Sequence, residues 1–381
     1  MNNKIIAGAV AAAVIGLSPM TASAVNFKDV MAGKMDFSVG GYVKMSASYS
    51  DLSDGDTGGN SLGDVMYAPI AIPTSNGSAE SESDLDFSAR ESRINFKASQ
   101  KIDGHKLLAY IEMDFMPNGD AGGNEVISNS YSPRLRHAFL KFDNWTLGQT
   151  WTTLMDLGAL PESADFLPAS ESTVFGRQQM IRYTSGNFQI ALENPESYGV
   201  ADRDDNDLPD LIANYKVKGD WGHIRLNGLL REINSDVVGG AEDSATGWGL
   251  GVTGKVMVGK DDLKFSVFNG EGLGRYIALG GGAVDAEVVN GDVELTETTA
   301  FFVAYRHWWN DKVRSSIIYS DLEVQYDTKG DKEVDSIAVN LMYSPVKNIT
   351  LGAMIIHGEI DNNDGTEGEL DRFLVSAKYA F

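Results

Sequence analysis

The chain ends on the stretch Leu370-Asp-Arg-Phe-Leu-Val-Ser-Ala-Lys-Tyr-Ala-Phe381. Every second residue from Phe373 to Phe381 is apolar, and the opposite positions hold Arg372, Leu374, Ser376 and Lys378. Side chains alternate across a β-strand, so this period of two predicts a strand with one apolar face. An exported chain that closes on an alternating aromatic strand points to an outer-membrane β-barrel, whose strands present one face to lipid.

The amino terminus supplies the evidence for export. Lys4 precedes an apolar run over 5–17, and the small residues of 21–24 follow as a cleavage site. This order is typical of a secretory signal and differs from a membrane-spanning helix. We therefore expect a signal peptide at 1–24, removed near Ala24, and a barrel domain over 25–381.

Composition excludes several other classes of protein. No run of 18 apolar residues follows the signal, so the sequence predicts no transmembrane helix. The absence of cysteine removes disulfides and zinc–thiolate sites. A net charge of −23, from 54 acidic and 31 basic residues, argues against a nucleic-acid partner.

Alternating segments recur along the whole chain, each near the ~9–11 residues that cross a membrane when tilted. The sequence predicts about sixteen antiparallel strands in an all-β transmembrane barrel. The predicted strands are 37–50, 87–99, 104–114, 133–142, 144–150, 177–184, 187–194, 208–218, 221–232, 246–258, 262–268, 297–309, 311–321, 334–344, 347–358 and 370–381.

The connections alternate between short turns and long loops. Short turns fall at 218–220, 310–311 and 345–347, whereas the long connections are rich in Gly or acidic residues. Barrels place short turns on the periplasmic rim and long loops outside the cell. The acidic stretch 51–84 is accordingly expected to be a mobile loop outside the membrane.

One long loop, 151–176, differs from the others because it is apolar. It carries Leu154, Met155, Leu167 and Phe175, which an exposed loop would leave in water. As the third long loop it is expected to fold into the lumen and form a constriction. A contact with other subunits of a trimer, or with the membrane, is the alternative.

Several motifs in the first half of the chain resemble the DcaP-like porins. They are Gly41-Tyr-Val-Lys44, Ser88-Ala-Arg-Glu-Ser-Arg-Ile-Asn-Phe-Lys97, Tyr110-Ile-Glu-Met-Asp-Phe115, Leu135-Arg-His-Ala-Phe139, Leu147-Gly-Gln-Thr-Trp-Thr-Thr-Leu-Met-Asp156, Leu160-Pro-Glu-Ser163 and Arg177-Gln-Gln-Met-Ile-Arg-Tyr183. The resemblance implies a trimeric, sixteen-stranded porin of the Gram-negative outer membrane with an inward third loop. It also implies passive diffusion of small hydrophilic solutes, with dicarboxylate-type anions among them.

Charged residues of the first half are the candidates for the pore. The predicted pore-lining and constriction residues are Arg93, Lys97, Glu112, Asp114, Arg136, Asp156, Glu162, Asp165 and Arg182. Arginines on the wall opposite an acidic inserted loop would set a transverse field, and rings of charge bias ion selectivity. The alternative is that these arginines pair with neighbouring carboxylates. Alternation also predicts that Phe139 faces outward and that Arg90 opposes Arg93 unless a bulge intervenes.

No signal for catalysis, a cofactor or a metal emerges. Gly249–Gly254 fits a dinucleotide fingerprint but lies inside an alternating strand, and the histidines lack the i, i+4 spacing of a metal site. A barrel enzyme and a plugged structural barrel are the rival functions. The expected partners are solutes, outer-membrane lipid, lipopolysaccharide, two further copies in a homotrimer, and the barrel-assembly machinery acting on the strand that ends at Phe381.

Overall fold

The computed structural model describes residue 30 and residues 32–57, 61–116, 128–198, 206–235, 243–277, 283–327 and 330–381. The expected signal peptide at 1–24 lies outside the described residues. Within the described residues no helix is long and apolar enough to cross a membrane.

The described chain is built from nineteen strands and one 3₁₀ turn, Pro69–Ala71. In chain order the strands are β1 (Met35–Leu52), β2 (Glu82–Ser88), β3 (Arg93–Ile102), β4 (His105–Asp114), β5 (Arg134–Phe142), β6 (Trp145–Trp151), β7 (Arg177–Ser185), β8 (Phe188–Glu193), β9 (Asp210–Gly219), β10 (Gly222–Ser235), β11 (Asp243–Val258), β12 (Asp261–Glu271), β13 (Ala286–Val289), β14 (Asp292–Leu295), β15 (Glu297–Trp308), β16 (Val313–Gln325), β17 (Lys332–Tyr343), β18 (Ile349–Asp361) and β19 (Glu367–Ala380).

The sheet closes on itself because β1 pairs antiparallel with β19, with Leu52 opposite Leu370. Neighbouring strands pair in sequence around the wall, apart from the separate hairpin β13–β14. The short strands β2 and β3 follow one another along β1 and share one position, so the barrel has sixteen strand positions. Closure leaves no sheet edge exposed to lipid, and the predicted barrel is confirmed.

Alternation sets which side chains face lipid, as β17 illustrates. Ile337, Val339 and Leu341 are exposed on the outer surface, whereas Ser336 and Asn340 between them are buried inside the barrel. The same division holds on β10 and β19. The apolar positions therefore form the outer surface, as the sequence predicts for a barrel surrounded by hydrocarbon.

The two rims differ in the length of their connections, as predicted. Asp103 and Gly104 join β3 to β4 with φ of 51° and 88°, which suits the left-handed two-residue turns of hairpins. The opposite rim carries the long connections, including 53–81 and 152–176. We refer to residues 152–176 as the inserted loop.

The expectation that the stretch 51–84 is a mobile loop outside the membrane is wrong for part of the stretch. Its residues Val65 to Ala68 are buried and belong to the same apolar cluster as Ile360 and Leu370 of the inner wall. The acidic composition hid this short apolar stretch, whose burial against the apolar inner faces of β18 and β19 is favourable. We refer to residues 61–72 as the entrance segment.

Two further details depart from the predicted strands. The predicted strand 87–99 is interrupted at Ala89–Ser92, between β2 and β3. The long loop 269–296 contains the hairpin of β13 and β14, and Asp285 and Ala286 at its start are fully buried. Neither feature changes the number of positions around the barrel.

Candidate functional site

The inserted loop lies inside the barrel, as its apolar residues require. Leu154, Leu167 and Val174 are buried in one cluster with Phe268 of β12 and Phe302 of β15, whose side chains point inward. Burial of these side chains provides the hydrophobic free energy that holds the loop against the wall. The predicted inward folding of the third long loop is therefore present.

The first turn of the loop is held through its backbone. Asn214 and Arg225 each donate a hydrogen bond to a backbone carbonyl oxygen at the start of the loop, and Arg182 donates to that of Trp151 at the end of β6. The Nδ2 atom of Asn214 lies 2.8 Å from the carbonyl oxygen of Thr153, and the Thr153 amide donates to Glu193 at 2.7 Å. These contacts satisfy backbone groups that would otherwise be buried without partners.

Asp156 is the first acidic anchor of the loop. Its carboxylate lies 2.8 Å from Nε2 of His223 and 3.1 Å from Nζ of Lys216, and it accepts a hydrogen bond from Thr253 at 3.0 Å. Burial would raise the pKa of Asp156, but the charges of Arg225, Lys216 and His223 lower it to about 2. The carboxylate is therefore ionised, and it binds the loop to β9, β10 and β11.

Glu162 anchors the middle of the loop to β15 and β16. Nε of Arg314 donates to its carboxylate at 2.8 Å, and Nη1 of Arg306 donates at 3.2 Å. Asn340 of β17 donates to the Glu162 carbonyl oxygen at 2.7 Å. Burial would raise the pKa of Glu162, but the two arginines lower it below its ordinary value.

Asp165 and Glu171 hold the loop in different ways. A carboxylate oxygen of Asp165 accepts the Tyr67 amide of the entrance segment at 2.7 Å, which joins the two inward elements. Glu171 is fully buried and accepts a hydrogen bond from the Ser336 hydroxyl. Burial without a cationic partner in the described residues raises the pKa of Glu171.

The arginines of the first half pair with carboxylates on β4. Arg136 is only 1% exposed, and its guanidinium lies 2.8 Å from Glu112 and 2.7 Å from Asp114. Arg93 lies 3.6 Å from Glu112, and Arg134 lies 2.9 Å from Asp114. The arrangement matches the alternative in which these charges pair on the wall. A direct role for them in solute passage stays a prediction.

A register shift next to Arg136 explains why simple alternation fails on β5. The pairing of β4 with β5 slips by one residue between Glu112 and Met113, which is a β-bulge. The extra residue turns both Arg136 and Phe139 inward, and the Phe139 ring centroid lies 5.4 Å from that of Tyr110. The prediction that Phe139 faces outward is therefore wrong.

Arg90 lies in the break between β2 and β3. Its Nε donates to the carbonyl oxygen of Phe115 at 3.1 Å, and its guanidinium stacks 3.9 Å from the centre of the Tyr131 ring. The break removes Arg90 from the alternation that governs Arg93. Arg90 therefore holds the chain around the break.

The inner wall nearer the short turns carries a ring of basic side chains, which we call the basic ring. Its residues are Lys97, Lys141, Arg182, Lys216, Lys255, Lys264, Arg306 and Lys378. They belong to eight strands spread around the barrel. The register sets Lys255 of β11 directly opposite Lys264 of β12.

Much of the basic ring lacks neutralising partners. Within the described residues, no carboxylate lies within 4.0 Å of the cationic groups of Lys97, Lys141, Arg182, Lys255 or Lys378. The ammonium groups of Lys141 and Lys378 instead lie 5.9 Å and 5.5 Å from aromatic ring centres. These five of the eight ring members in the described residues therefore have no carboxylate beside them.

Sequence reasoning found Lys97 and Arg182 but missed the other members of this ring. The missed residues lie on the polar faces of strands that were correctly predicted. Following the alternation through the second half of the chain would have assigned Lys216, Lys255 and Lys264 to the lumen. The acidic loops obscured this signal because they dominate the overall charge.

The sequence predicts no dedicated metal site, but the structure brings three carboxylates together near the extracellular rim. Oxygen atoms of Asp64, Asp84 and Asp86 all lie within 4.8 Å of one another. The buried guanidinium of Arg372 provides a positive charge beside them. The group therefore combines charges from the entrance segment, β2 and β19.

A family model described as DcaP outer membrane protein matches residues 14–381. A search of curated protein sequences found no significant match. Among solved structures, the chain is similar to the outer membrane channel DcaP of Acinetobacter baumannii. The two sequences are 23% identical, the alignment covers 92% of this chain and 98% of that one, and the TM-score is 0.74.

More distant structures share the fold. The trimer form of OmpT from Vibrio cholerae is 14% identical, with 91% of this chain and 99% of that chain covered and a TM-score of 0.54. An anion-selective porin from Comamonas acidovorans is 12% identical, with 91% and 100% covered and a TM-score of 0.57. At these identities the likeness concerns the barrel architecture alone.

Proposed function

Because the chain belongs to the DcaP outer membrane protein family, and is thus a porin of the Gram-negative outer membrane, we propose that its lumen favours small hydrophilic anions. The observation that carries this proposal is the basic ring, whose lysines at 97, 141, 255 and 378 lack carboxylate partners in the described residues. Passage is passive: the inserted loop limits solute size, and the ring biases solute charge.

The ring raises the local concentration of anions. A water-filled lumen with low-dielectric walls focuses the field of its lining charges, so several unpaired cations attract anions and repel cations. The net charge of −23 does not oppose this bias at the inserted loop, because Asp156 and Glu162 of the loop are paired with wall cations that include Lys216 and Arg314. The ion selectivity of a pore follows the net charge of the residues that line its narrow part.

Dicarboxylate-type anions suit the spacing of the ring. Directly opposed residues on neighbouring strands have Cβ atoms ~5 Å apart. Lys255 and Lys264 form such a pair. Two ammonium groups at this spacing match the two carboxylates of a short dianion, so we propose that dianions are favoured over monoanions of equal size.

The predicted site residues divide into three proposed roles. Asp156, Glu162 and Asp165 position the inserted loop through the contacts described above, whereas Lys97 and Arg182 belong to the basic ring. The remaining predicted residues, Arg93, Arg136, Glu112 and Asp114, form a paired cluster that maintains the wall beside the loop.

The direct test is the reversal potential of the purified protein in planar bilayers under a potassium chloride gradient. An anion-selective pore gives a potential whose sign corresponds to preferential chloride movement. Succinate added on one side should reduce the chloride current by competing for the ring. A potential of the opposite sign would contradict the anion preference, although the protein would still be a porin.

We further propose that the pore is a homotrimer. Its subunits meet at the side of the barrel formed by β5 to β8, which includes two of the shortest strands of the wall. Strands β6 and β8 have seven and six residues, whereas β10 and β11 have 14 and 16. A strand needs ~9–11 residues to cross the bilayer, so the short strands are poorly matched to lipid. Neighbouring protein would cover the difference.

The outer surface at this side also carries polar groups where lipid would lie. Gln149 of β6 and Gln179 of β7 are hydrogen-bonded to each other at 3.1 Å on the outer face. On the outer face, only one pair of aliphatic residues, Leu147 and Ile181, lies between these two glutamines and the aromatic pair Trp145 and Tyr183. By contrast, β17 presents three aliphatic residues before its aromatic Tyr343. Amide groups at this depth are better satisfied by a subunit than by hydrocarbon.

Gln179→Leu distinguishes a protein contact from a lipid contact by the sign of its effect. Facing lipid, leucine would stabilise the barrel; facing a subunit, it removes hydrogen bonds and we expect the trimer to dissociate at a lower temperature. The measurement is the trimer band on unheated and stepwise-heated SDS gels. Gln325→Leu is the control, because Gln325 is the exposed last residue of β16 and alternation places it on the same outer face as Ile317 and Tyr319. A trimer unaffected or stabilised by Gln179→Leu would contradict the assigned surface.

A further inference from the structure

The entrance segment is a second inward element, distinct from the inserted loop. Met66 and Tyr67 are almost completely buried, and they pack in one cluster with Ile356 and Ile360 of β18 and Leu374 of β19. The Tyr67 ring covers Gly358, where a Cβ would clash with the tyrosine hydroxyl. The wall is therefore shaped to receive the segment.

Arg372 of β19 is the cation around which this region is arranged. It is only 2% exposed, and its Nη2 donates to the carbonyl oxygen of Gly63 in the entrance segment at 2.6 Å. Its Nε donates to the hydroxyl of Ser50 on β1 at 2.9 Å. One guanidinium thus joins two wall strands to the segment.

Four carboxylates from three elements attract this single guanidinium from distances beyond 4.0 Å. They belong to Asp64 in the entrance segment, Asp84 and Asp86 on β2, and Asp165 in the inserted loop. The oxygen atoms of the first three lie within 4.8 Å of one another, so their mutual repulsion is strong when no cation intervenes. Without Arg372 this repulsion would push Asp64, and the segment that carries it, away from β2.

The two inward elements are also joined directly. A carboxylate oxygen of Asp165 in the inserted loop accepts a hydrogen bond from the amide of Tyr67 at 2.7 Å, and the charge of Asp165 attracts Arg372 from beyond 4.0 Å. Displacing the entrance segment would therefore remove a contact of the inserted loop. The arrangement couples the extracellular end of the lumen to the loop that narrows it.

We propose that Arg372 is a positioning residue that holds residues 61–72 in the lumen, and that this segment and the inserted loop together form the extracellular constriction of the pore. The role of the two elements as a constriction rests on the proposed porin function. The role of Arg372 in holding residues 61–72 in the lumen does not rest on that function, and it is tested without any measurement of transport.

The absence of native cysteine allows a unique probe of the segment. Ala68 is 3% exposed, so Ala68→Cys places one buried thiol on it with little change in volume. We expect the thiol to react slowly with a membrane-impermeant maleimide, and about tenfold faster when Arg372→Gln is added, because charge-assisted hydrogen bonds are lost. Lys378→Gln is the matched control, with the same charge change on the same inner face of β19, and should leave the labelling rate unchanged.

Two further variants keep the test decisive. Arg372→Lys retains the charge but not the fork of donors, and it should restore most of the protection. Asp165→Asn perturbs the contact from the inserted loop and leaves the barrel strands intact, so it reports on the segment if Arg372→Gln fails to fold. Protection unchanged in folded Arg372→Gln and Asp165→Asn would overturn the positioning role. If Arg372→Gln raises the labelling rate but not the single-channel conductance, Arg372 positions the segment, and the claim that the segment forms part of the constriction is overturned.

Discussion

Replacing Glu162 by glutamine is expected to release the middle of the inserted loop from the wall and to raise single-channel conductance. The change removes the charge that pairs with Arg314 and Arg306 and leaves the largely buried Arg314 without its partner. Breaking such a pair while keeping a hydrogen-bonding side chain costs about 2 kcal/mol, or a roughly 30-fold shift toward the released loop. Stepwise current recording in planar bilayers measures the result as a larger conductance with frequent closures.

The pH dependence of the parent protein tests the same anchors. The pKa of Glu162 is lowered and that of Asp156 is lowered to about 2 in the folded protein. An acid whose pKa is lowered on folding stabilises the structure above its ordinary pKa and loses this contribution as pH falls through the lowered value. The parent conductance should therefore be steady from neutral pH to about 4 and rise toward pH 2.

Glu171→Gln is the matched control, because the same substitution acts on the same loop with the opposite electrostatics. Burial raises the pKa of Glu171, so its contribution to seating the loop is complete at low pH and declines as pH rises through that raised pKa. Glutamine resembles the protonated acid at every pH and retains an acceptor for the Ser336 hydroxyl. Equal conductance changes in Glu162→Gln and Glu171→Gln would show that the ion pairs are not the anchors.

The double variant Lys97→Glu/Lys141→Glu is expected to shift the pore from anion toward cation preference. Each charge contributes about 0.4 kcal/mol at ~10 Å in water, and the variant changes the lumen by four charges. Screening at 0.1 M salt reduces the sum to about 0.6 kcal/mol. This energy disfavours an anion and favours a cation by the same amount, so the anion-to-cation permeability ratio changes by about 1.2 kcal/mol, or roughly eightfold. The reversal potential under a salt gradient gives this ratio directly.

A charge reversal outside the lumen separates this effect from a general change in surface charge. Lys347 lies exposed on the short turn between β17 and β18, so Lys347→Glu changes the charge by two at the periplasmic rim. We expect its reversal potential to match that of the parent. A ratio unchanged by the double variant would remove Lys97 and Lys141 from the selective part of the path.

The strands were predictable because their signal is local. Period-two alternation identified all sixteen positions around the barrel, including the outward row Ile337, Val339 and Leu341. The apolar composition of 151–176 likewise predicted an inward loop, since an exposed loop has no reason to carry so many leucine and phenylalanine residues. Both deductions need only the direction of side chains and the preference of apolar groups for an apolar environment.

Register errors were beyond the reach of the same reasoning. A β-bulge at Arg136 depends on how β5 pairs with β4, and it reverses the facing of Phe139. Arg136 was correctly selected as important, but its enclosure by Glu112 and Asp114 follows from three-dimensional pairing. Alternation within one strand does not report the partner on the next.

The sequence by itself determined the barrel, the facing of regular strands and the presence of an inward loop, because these depend on neighbours a few residues apart. Only the tertiary structure decided which charges meet. Arg372 and Gly63 are 309 residues apart, and Glu162 and Arg314 are 152 apart, yet both pairs are in contact. Closure of the sheet brings such distant residues to one depth of the lumen, so the charge pattern of the pore is a property of the closed barrel.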